Sequence, residues 1–307
     1  DVNVGLVDSD GLLVQTVNIP IAPAGRISRP IRDFAIGSNG IFNSVDFEEG
    51  KSHFLLLNSD EELISFVRYY NDITMAVLEG THLGQTAPLF VDYQIAPQVI
   101  AFGGNSSTLT AINLNPEEAK ITLTLHPRDS DLQVDPVEAV LPSMGLLKQE
   151  LADLFSLEDD GEIVSGWVEL TSDRGGIVGS VEFQLFDGKA MSTLPFFPEG
   201  NRRILFSHVA QGSGFVTGLI ALNPGEGTAT VDLVLRVEGG SEVATAQLVL
   251  LPGERRALLV EELFGRPIEQ IGGRIDLEAD LPVIGVEMFF SENGEILSAV
   301  PGNVLPD

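Results

Sequence analysis

The sequence predicts an all-β fold arranged as a tandem array of β-sandwich modules. Landmarks recur at a spacing of about 108 residues, which is the size of one small domain. The segments between the landmarks are typical of short strands separated by turns. The matched landmarks are Asn115-Pro116 with Asn223-Pro224, Leu141-Pro142-Ser143 with Leu251-Pro252-Gly253, Asp153-Leu154-Phe155 with Glu262-Leu263-Phe264, and Asp173 with Asp280.

A shorter match leads the chain. The segment 22–26 matches 251–255, and 58–60 matches 278–280, so that Val2 aligns with Val231. The first module is therefore expected to lack its first two strands. The predicted organisation is a partial module over 1–80, a linker or extra strand over 81–97, a second module over 98–197 and a third over 198–307.

Each complete module contains seven segments rich in β-branched and aromatic residues, and several of them alternate apolar with polar residues. Seven short strands in about 100 residues is the number found in an immunoglobulin-like sandwich. The predicted strands are 2–7 and 12–19 in the first module, 98–102, 108–114, 120–126, 134–141, 166–171, 177–186 and 190–194 in the second, and 203–206, 215–222, 229–237, 242–250, 273–277, 283–290 and 296–300 in the third.

One helical segment per module follows the proline-containing turn, at 149–155 and 260–264. We expect one or two helical turns crossing between the sheets, with Phe155 and Phe264 packed in the core. Trp167, the only tryptophan, is expected to be buried or half-buried. The short linker 195–200 contains proline, which favours a semi-rigid rod over flexibly tethered beads.

The charge balance limits the choice of partners. The chain has 45 acidic and 17 basic residues, with a net charge of −28. Because binding to phosphate backbones requires clustered Lys and Arg, nucleic acid is excluded as a partner, and anionic membranes are disfavoured. No apolar run reaches the length of a membrane span, which argues against direct membrane insertion. An acidic coat suits an extracellular or cell-surface location.

No catalytic or cofactor-binding residue stands out. There is no cysteine, and the four histidines are dispersed, so thiolate chemistry and a zinc site are not expected. Weak calcium binding by acidic loops is the alternative to ordinary turns and solvated loops, and the turn or loop interpretation is favoured. The weak metal candidates are Asp8, Asp10, Asp129, Asp131, Asp159 and Asp160.

Paired carboxylates for glycoside hydrolysis are the enzyme hypothesis worth weighing. The pairs are Glu169 with Glu182 and Glu278 with Glu287, but strand alternation is expected to place them on outer polar faces, without aromatic residues to stack a sugar. The chain is therefore not expected to be an enzyme.

The segment 206–224, the run Leu251 to Arg255 and the terminal run Glu287 to Phe290 resemble tandem immunoglobulin-like β-sandwich repeats of large secreted bacterial surface proteins. The resemblance implies an extracellular, non-catalytic module. The function expected is a structural or adhesive segment of a rod, filament, sheath or stalk, with neighbouring copies or other surface-assembly proteins as partners. The alternative is a carbohydrate- or protein-binding array, for which Tyr69, Tyr70 and Tyr93 are the available tyrosines.

Overall fold

The computed structural model describes residues 1–22, 26, 28, 40–42, 51–60, 92–128 and 131–306, and the backbone of two further strands at 66–70 and 75–79. The described chain is predominantly β, with several antiparallel sheets, as the sequence predicts. In this part of the chain, neither of the short helices is long and apolar enough to cross a bilayer.

The first unit contains β1 (Val2–Asp8), β2 (Leu13–Ile19), β3 (His53–Ser59), β4 (Phe66–Tyr70) and β5 (Met75–Glu79). β1 lies between β2 and β3 in one antiparallel sheet, and β4 pairs with β5. Alternate residues of β1 face a small core that includes Ile19 and Phe42. The two strands predicted for the start of the chain are confirmed.

The second unit has two four-stranded sheets with the orders β6-β11-β8-β9 and β10-β7-β12-β13. Their alternating apolar residues pack on a common core, together with Leu151 and Leu154 of the short helix. The elements are β6 (Tyr93–Ala101), β7 (Ser106–Asn113), β8 (Ala119–Pro127), β9 (Val137–Leu141), β10 (Leu146–Glu150), α1 (Leu151–Leu154), β11 (Val164–Ser172), β12 (Ile177–Leu185) and β13 (Ala190–Pro195).

The third unit repeats this order. One sheet runs β18-β17-β21-β14, and β16 pairs with both β19 and β21 in the other. The elements are β14 (Asn201–Phe206), β15 (Ala210–Gln211), β16 (Phe215–Leu222), β17 (Ala229–Arg236), β18 (Glu242–Leu250), β19 (Arg255–Leu259), α2 (Val260–Phe264), β20 (Gln270–Ile271), β21 (Arg274–Ser291), β22 (Leu297–Pro301) and β23 (Asn303–Val304).

Three differences from the sequence prediction have physical causes. β10 and β19 were not predicted, because each is short and runs directly into a helix. β21 is one strand where two were expected. Its first half pairs with β14 and β17 and its second half with β16 and β22. Pro282 lies between the halves and lacks an N–H, so the chain changes sheets there without a turn.

The cores of the second and third units are joined. β16 and β21 present alternate residues to opposite sides: Leu219, Ala221 and Val283 face the core of the third unit. Their neighbours pack in the buried cluster of the second unit. These neighbours, with two residues of β22, are Ile220, Leu222, Ile284, Val286, Leu297 and Ala299. In this sheet β16 and the second half of β21 are therefore largely buried on both faces, whereas β19 is mostly exposed.

The segment predicted as a linker between these units is docked on the second unit. Phe196 is 6% exposed, and its N–H donates to Gly179 at 2.8 Å. Phe197 exchanges two backbone hydrogen bonds with Ile95, at 2.8 and 2.7 Å. At the other predicted linker, β6 already begins at Tyr93, inside the segment 81–97.

Candidate functional site: the junction faces

Two junctions join the units. At the second junction, the edge strands β13 and β22 lie side by side, and the N–H of Ala299 donates to the buried Oγ of Ser192 at 2.8 Å. Strand β13 also contacts β5 of the first unit. The corresponding edge strands of all three units therefore lie next to one another in the order β5, β13, β22.

Trp167 lies at the second junction. It is 5% exposed, and its indole Nε1–H donates to the backbone oxygen of Gly253 in the third unit at 3.1 Å. The imidazole of His126 stacks on the indole, with ring centroids 3.8 Å apart and an interplanar angle of 8°. Partial burial lowers the pKa of His126, and the Glu169 carboxylate, 3.5 Å from Nε2, opposes that effect. The predicted burial of Trp167 is confirmed.

Arg255 completes the second junction. Its Nε donates to the backbone oxygen of Pro97 in the second unit at 3.0 Å. Burial lowers the pKa of Arg255 to about 10, and the positive charge of Arg128 contributes in the same direction. The guanidinium remains charged at neutral pH because that pKa lies well above 7.

The first junction is made by the turn between β1 and β2. The N–H of Leu146, in the second unit, donates to the oxygen of Ser9 at 3.0 Å. Gly11 adopts φ +84°, and a methyl group added there would lie 2.0 Å from the backbone oxygen of Ser143. Val7 is only 3% exposed although it lies outside the core cluster of the first unit. The turn is therefore packed tightly against the second unit.

The two junctions use equivalent positions. In the sheet registers Val7 is opposite Phe54, His126 is opposite Trp167, and Arg236 is opposite Arg274. We call each of these cross-strand pairs, with the turn that follows its first residue, a junction face. The junction faces of the first and second units contact the next unit through Ser9 and Trp167, respectively.

The third junction face carries charge where the other two carry apolar or aromatic groups. Arg236 and Arg274 both bind Asp276, with Nε to carboxylate oxygen distances of 2.7 and 2.8 Å. Their side chains are 27% and 42% exposed. Beside them lie the exposed apolar residues Val237 and Ile271, which are 38% and 54% exposed.

Two buried asparagines support the turns beside the junctions, and the sequence analysis missed one of them. Asn113 and Asn223 are fully buried, and each side-chain amide donates to three backbone oxygens. The sequence match paired Asn115 with Asn223, which is wrong at the level of hydrogen bonding: Asn113 makes the equivalent contacts. The two turns are equally long, since Ala119 follows Asn113 and Ala229 follows Asn223 at the same distance, but the Asn-Pro pair stands two residues later in the second unit.

The acidic metal candidates are not brought together. Among the residues that the structure describes, no group of three or more His, Cys, Asp or Glu could hold a metal ion. Asp8 Oδ1 accepts the N–H groups of Asp10 and Leu12, as a turn requires. Asp159 and Asp160 accept N–H groups of their own exposed loop. Asp10 and Asp131 are exposed, and Asp129 lies outside the described residues.

The carboxylate pairs differ from expectation at one position. Glu278 is exposed, but Glu287, expected on an outer face, is 3% exposed. The predicted outer-face position of Glu287 is wrong, because the second half of β21 is covered on both faces. Burial raises the pKa of Glu287 from 4.5 to about 8, so the carboxyl is protonated at neutral pH. Glu169 faces His126, and Glu182 is half-buried.

Of the three tyrosines, the structure describes the side chain of Tyr93. Tyr69 and Tyr70 are successive residues of β4, and their side chains lie outside the described part of the chain. Tyr93 begins β6 and is half-buried. Burial raises the pKa of Tyr93 to about 12, and the negative charge of Glu169 adds to the effect.

Comparisons with known proteins give no family. No protein-family model matches the sequence, and no curated protein matches it. A solved structure titled Thermotoga maritima 1070 is similar at 18% identity with a TM-score of 0.30, over 34% of this chain and 96% of that chain. A β-glucuronidase from Ruminococcus gnavus is similar at 7% identity with a TM-score of 0.15, over 73% of this chain and 36% of that chain.

Proposed function

We propose that this chain is a non-catalytic structural or adhesive segment of an extracellular bacterial assembly, in which immunoglobulin-like β-sandwich units are coupled end to end into a stiff rod. One observation carries the proposal: the buried cluster of the second unit includes six residues of the third unit's sheet. An apolar contact of this kind resists bending because separating the units would expose those side chains to water.

The repetition of the contacts supports the same proposal. The first unit meets the second, and the second meets the third, through equivalent junction faces and through adjacent edge strands. A contact that repeats between consecutive units generates an extended array, as in other repeat proteins. The extracellular bacterial setting rests on the acidic composition and on the resemblance described for the sequence.

Electron microscopy of native material from the source would test this function. We expect rods or filaments in which the β units follow one another along a single axis. Isolated particles with no end-to-end continuity in native material would contradict a structural role. Glycan-array binding that is lost on changing Tyr93 would favour the binding-array alternative instead.

A further inference from the structure

We propose that the edge strand β18 of the third unit pairs with β18 of a second copy of this chain, antiparallel and about a two-fold axis, so that two sheets become one. The inference rests on the proposed function, because it names the surface through which two rods would lie side by side. Among the described residues, β18 pairs with β17 alone. Its other edge therefore carries backbone N–H and C=O groups that no strand binds.

Strand β18 lacks the features that natural proteins use to protect an exposed edge. It is nine residues long, and no residue from Val243 to Gly253 is charged, although the chain has 45 acidic residues. Val249 and Leu251 are 52% and 58% exposed. A long, uncharged edge with exposed apolar side chains readily accepts a further strand.

The equivalent edge strand of the second unit is protected. Strand β9 lies next to β8 as β18 lies next to β17. It has only five residues, Glu138 lies within it, and Pro136 directly precedes it. A short strand with a charge and a nearby proline resists the addition of another strand. The third unit therefore leaves open an edge that the second unit protects.

This edge is not the place where consecutive units meet. The second unit contacts a unit on either side, and Val140 of its edge strand β9 is nonetheless 55% exposed. The junctions use the junction faces and the other edge strands, β5, β13 and β22. A further unit joined through an equivalent junction would leave β18 open in the same way. The partner strand therefore comes from beside the rod.

The charge of the strand favours a second copy as the partner. A partner recognised by opposite charge would require charged residues on the strand, and β18 has one, Glu242, at its first position. An uncharged edge instead fits an uncharged strand, and β18 of another copy is such a strand. Two chains with a net charge of −28 also repel each other less here than at an average part of their surface.

Two identical antiparallel strands have a register in which no charged residues within β18 oppose each other. When the pairing is centred on Ala246, Glu242 of one copy lies opposite Leu250 of the other. The exposed side chain of Thr245 then lies opposite that of Gln247. Both contacts occur twice, as a two-fold interface requires.

The charged residues around the strand are distributed at its ends and on the neighbouring strand. They are Glu238, Glu242, Arg266, Glu254, Arg256 and Asp232. At the start of the strand, Arg266 Nη1 donates to a backbone oxygen of β18 at 3.4 Å. Beyond its end, Glu254 binds Arg256 at 2.6 Å. Each end therefore combines acidic residues with an arginine, and Asp232 is already bound by Gln247 at 2.8 Å.

Sedimentation velocity over about 1 µM to 1 mM chain would measure the association. We expect a concentration-dependent dimer for the wild type. Thr245→Glu places a carboxylate in the uncharged strand and should weaken the dissociation constant by about tenfold. Ser207→Glu is the matched control. It adds the same charge at an exposed hydroxyl residue after β14, on the opposite side of the same sheet, and should leave association unchanged.

A cross-linking measurement covers the case in which Thr245→Glu fails to fold. Because the chain has no cysteine, Thr245→Cys and Gln247→Cys proteins can be mixed under mild oxidation. Opposite residues of antiparallel strands have Cα atoms about 4.5–5.5 Å apart, which suits a disulfide, whereas diagonal residues are too distant. We expect the 245–247 heterodimer in excess over either homodimer. Ser207→Cys mixed with Gln247→Cys is the control and should give no specific product.

A wild-type chain that stays monomeric over the whole concentration range would overturn the inference. Association that Thr245→Glu leaves unchanged, with no 245–247 disulfide, would also overturn it. A strand of a different protein seen on β18 in native material would overturn the second copy as the partner. Rods without the paired edge would contradict this inference alone, whereas paired chains in solution without rods in native material would contradict the proposed function alone.

Discussion

Gly11 and Gly240 occupy the same position in equivalent turns, but their surroundings differ. A methyl group on Gly11 would meet the backbone oxygen of Ser143 at 2.0 Å, whereas one on Gly240 would meet none of the described atoms within 4 Å. The pair separates the effect of a positive φ from the effect of a junction contact, because the φ values, +84° and +82°, are nearly equal.

Gly11→Ala is therefore expected to destabilise the first junction more than backbone strain alone would explain. Strain from a positive φ costs about 1–2 kcal/mol and applies equally to Gly240→Ala. Only Gly11→Ala should also release the Leu146 N–H from Ser9. Hydrogen exchange at the Leu146 amide measures this release. Equal exchange in the two variants would contradict the tight junction.

Asn223→Ala is expected to reduce the free energy of unfolding by about 2–4 kcal/mol, because it leaves buried backbone oxygens without donors. Those oxygens belong to Gly227, Leu250 and Leu251. Urea denaturation provides the measurement. Asn293→Ala, at an exposed position, is the control and should cost less than about 0.5 kcal/mol.

Asn113→Ala tests whether the second unit depends on the same contact. Its three acceptors are the oxygens of Glu117, Leu141 and Pro142. We expect a loss similar to that for Asn223→Ala, whereas Asn115→Ala should cost clearly less because Asn115 Nδ2 binds Asn113 Oδ1 and one oxygen, that of Gly175. A larger loss of stability for Asn115→Ala than for Asn113→Ala in urea denaturation would instead support the pairing of Asn115 with Asn223.

Glu287→Gln is expected to remove a pH dependence. The pKa of Glu287 is about 8 in the folded chain and about 4.5 when unfolded, so the folded state holds the proton more tightly. The contribution of Glu287 to the free energy of unfolding is fully present below pH 4.5 and is lost as the pH rises to about 8. The wild type should lose on the order of 3 kcal/mol more than Glu287→Gln over this window.

Urea denaturation between pH 5 and 9 would give the difference between the two proteins. Glu278→Gln, an exposed change in the same strand, should keep the wild-type pH profile. Parallel profiles for wild type and Glu287→Gln would show that the carboxyl ionises without penalty and contradict its burial.

Trp167 fluorescence is expected to report the protonation of His126. The imidazole is stacked on the indole, and a protonated imidazole quenches tryptophan emission. Because burial lowers the pKa of His126, the quenching midpoint should lie below the ordinary value of 6.5. His126→Ala should abolish the transition, and His208→Ala, in the third unit, should leave it in place. A midpoint above 6.5 would mean that Glu169 dominates.

Runs of β-branched and aromatic residues, several of them alternating with polar residues, were sufficient to predict most strands, including β16 and β18 at both ends. The burial of Phe155, Phe264 and Trp167 was predicted correctly, at 6%, 8% and 5% exposure. The shared core was not predicted. Its signal is the unbroken apolar run of β16 from Leu219 to Leu222, which is typical of a strand buried on both faces.

Other features depend on contacts that a single sequence does not encode locally. Glu287 is buried because β21 passes from one sheet to the other at Pro282. No alternation of apolar and polar residues marks this change of sheet in the sequence. The junction faces could be recognised only after the registers placed His126 opposite Trp167 and Arg236 opposite Arg274. In the sequence the members of each pair stand about 40 residues apart, and no local pattern links them.

One layer of β-strands separates the core of the second unit from the core of the third. That layer consists of β16 and the second half of β21, whose residues pack in the core of the second unit on one side and of the third unit on the other. If heat or force unfolds one of the two units, the other loses the strands that cover its core, and its apolar side chains are exposed to water. We therefore expect the second and third units to unfold in a single cooperative transition and to share a load applied along the chain.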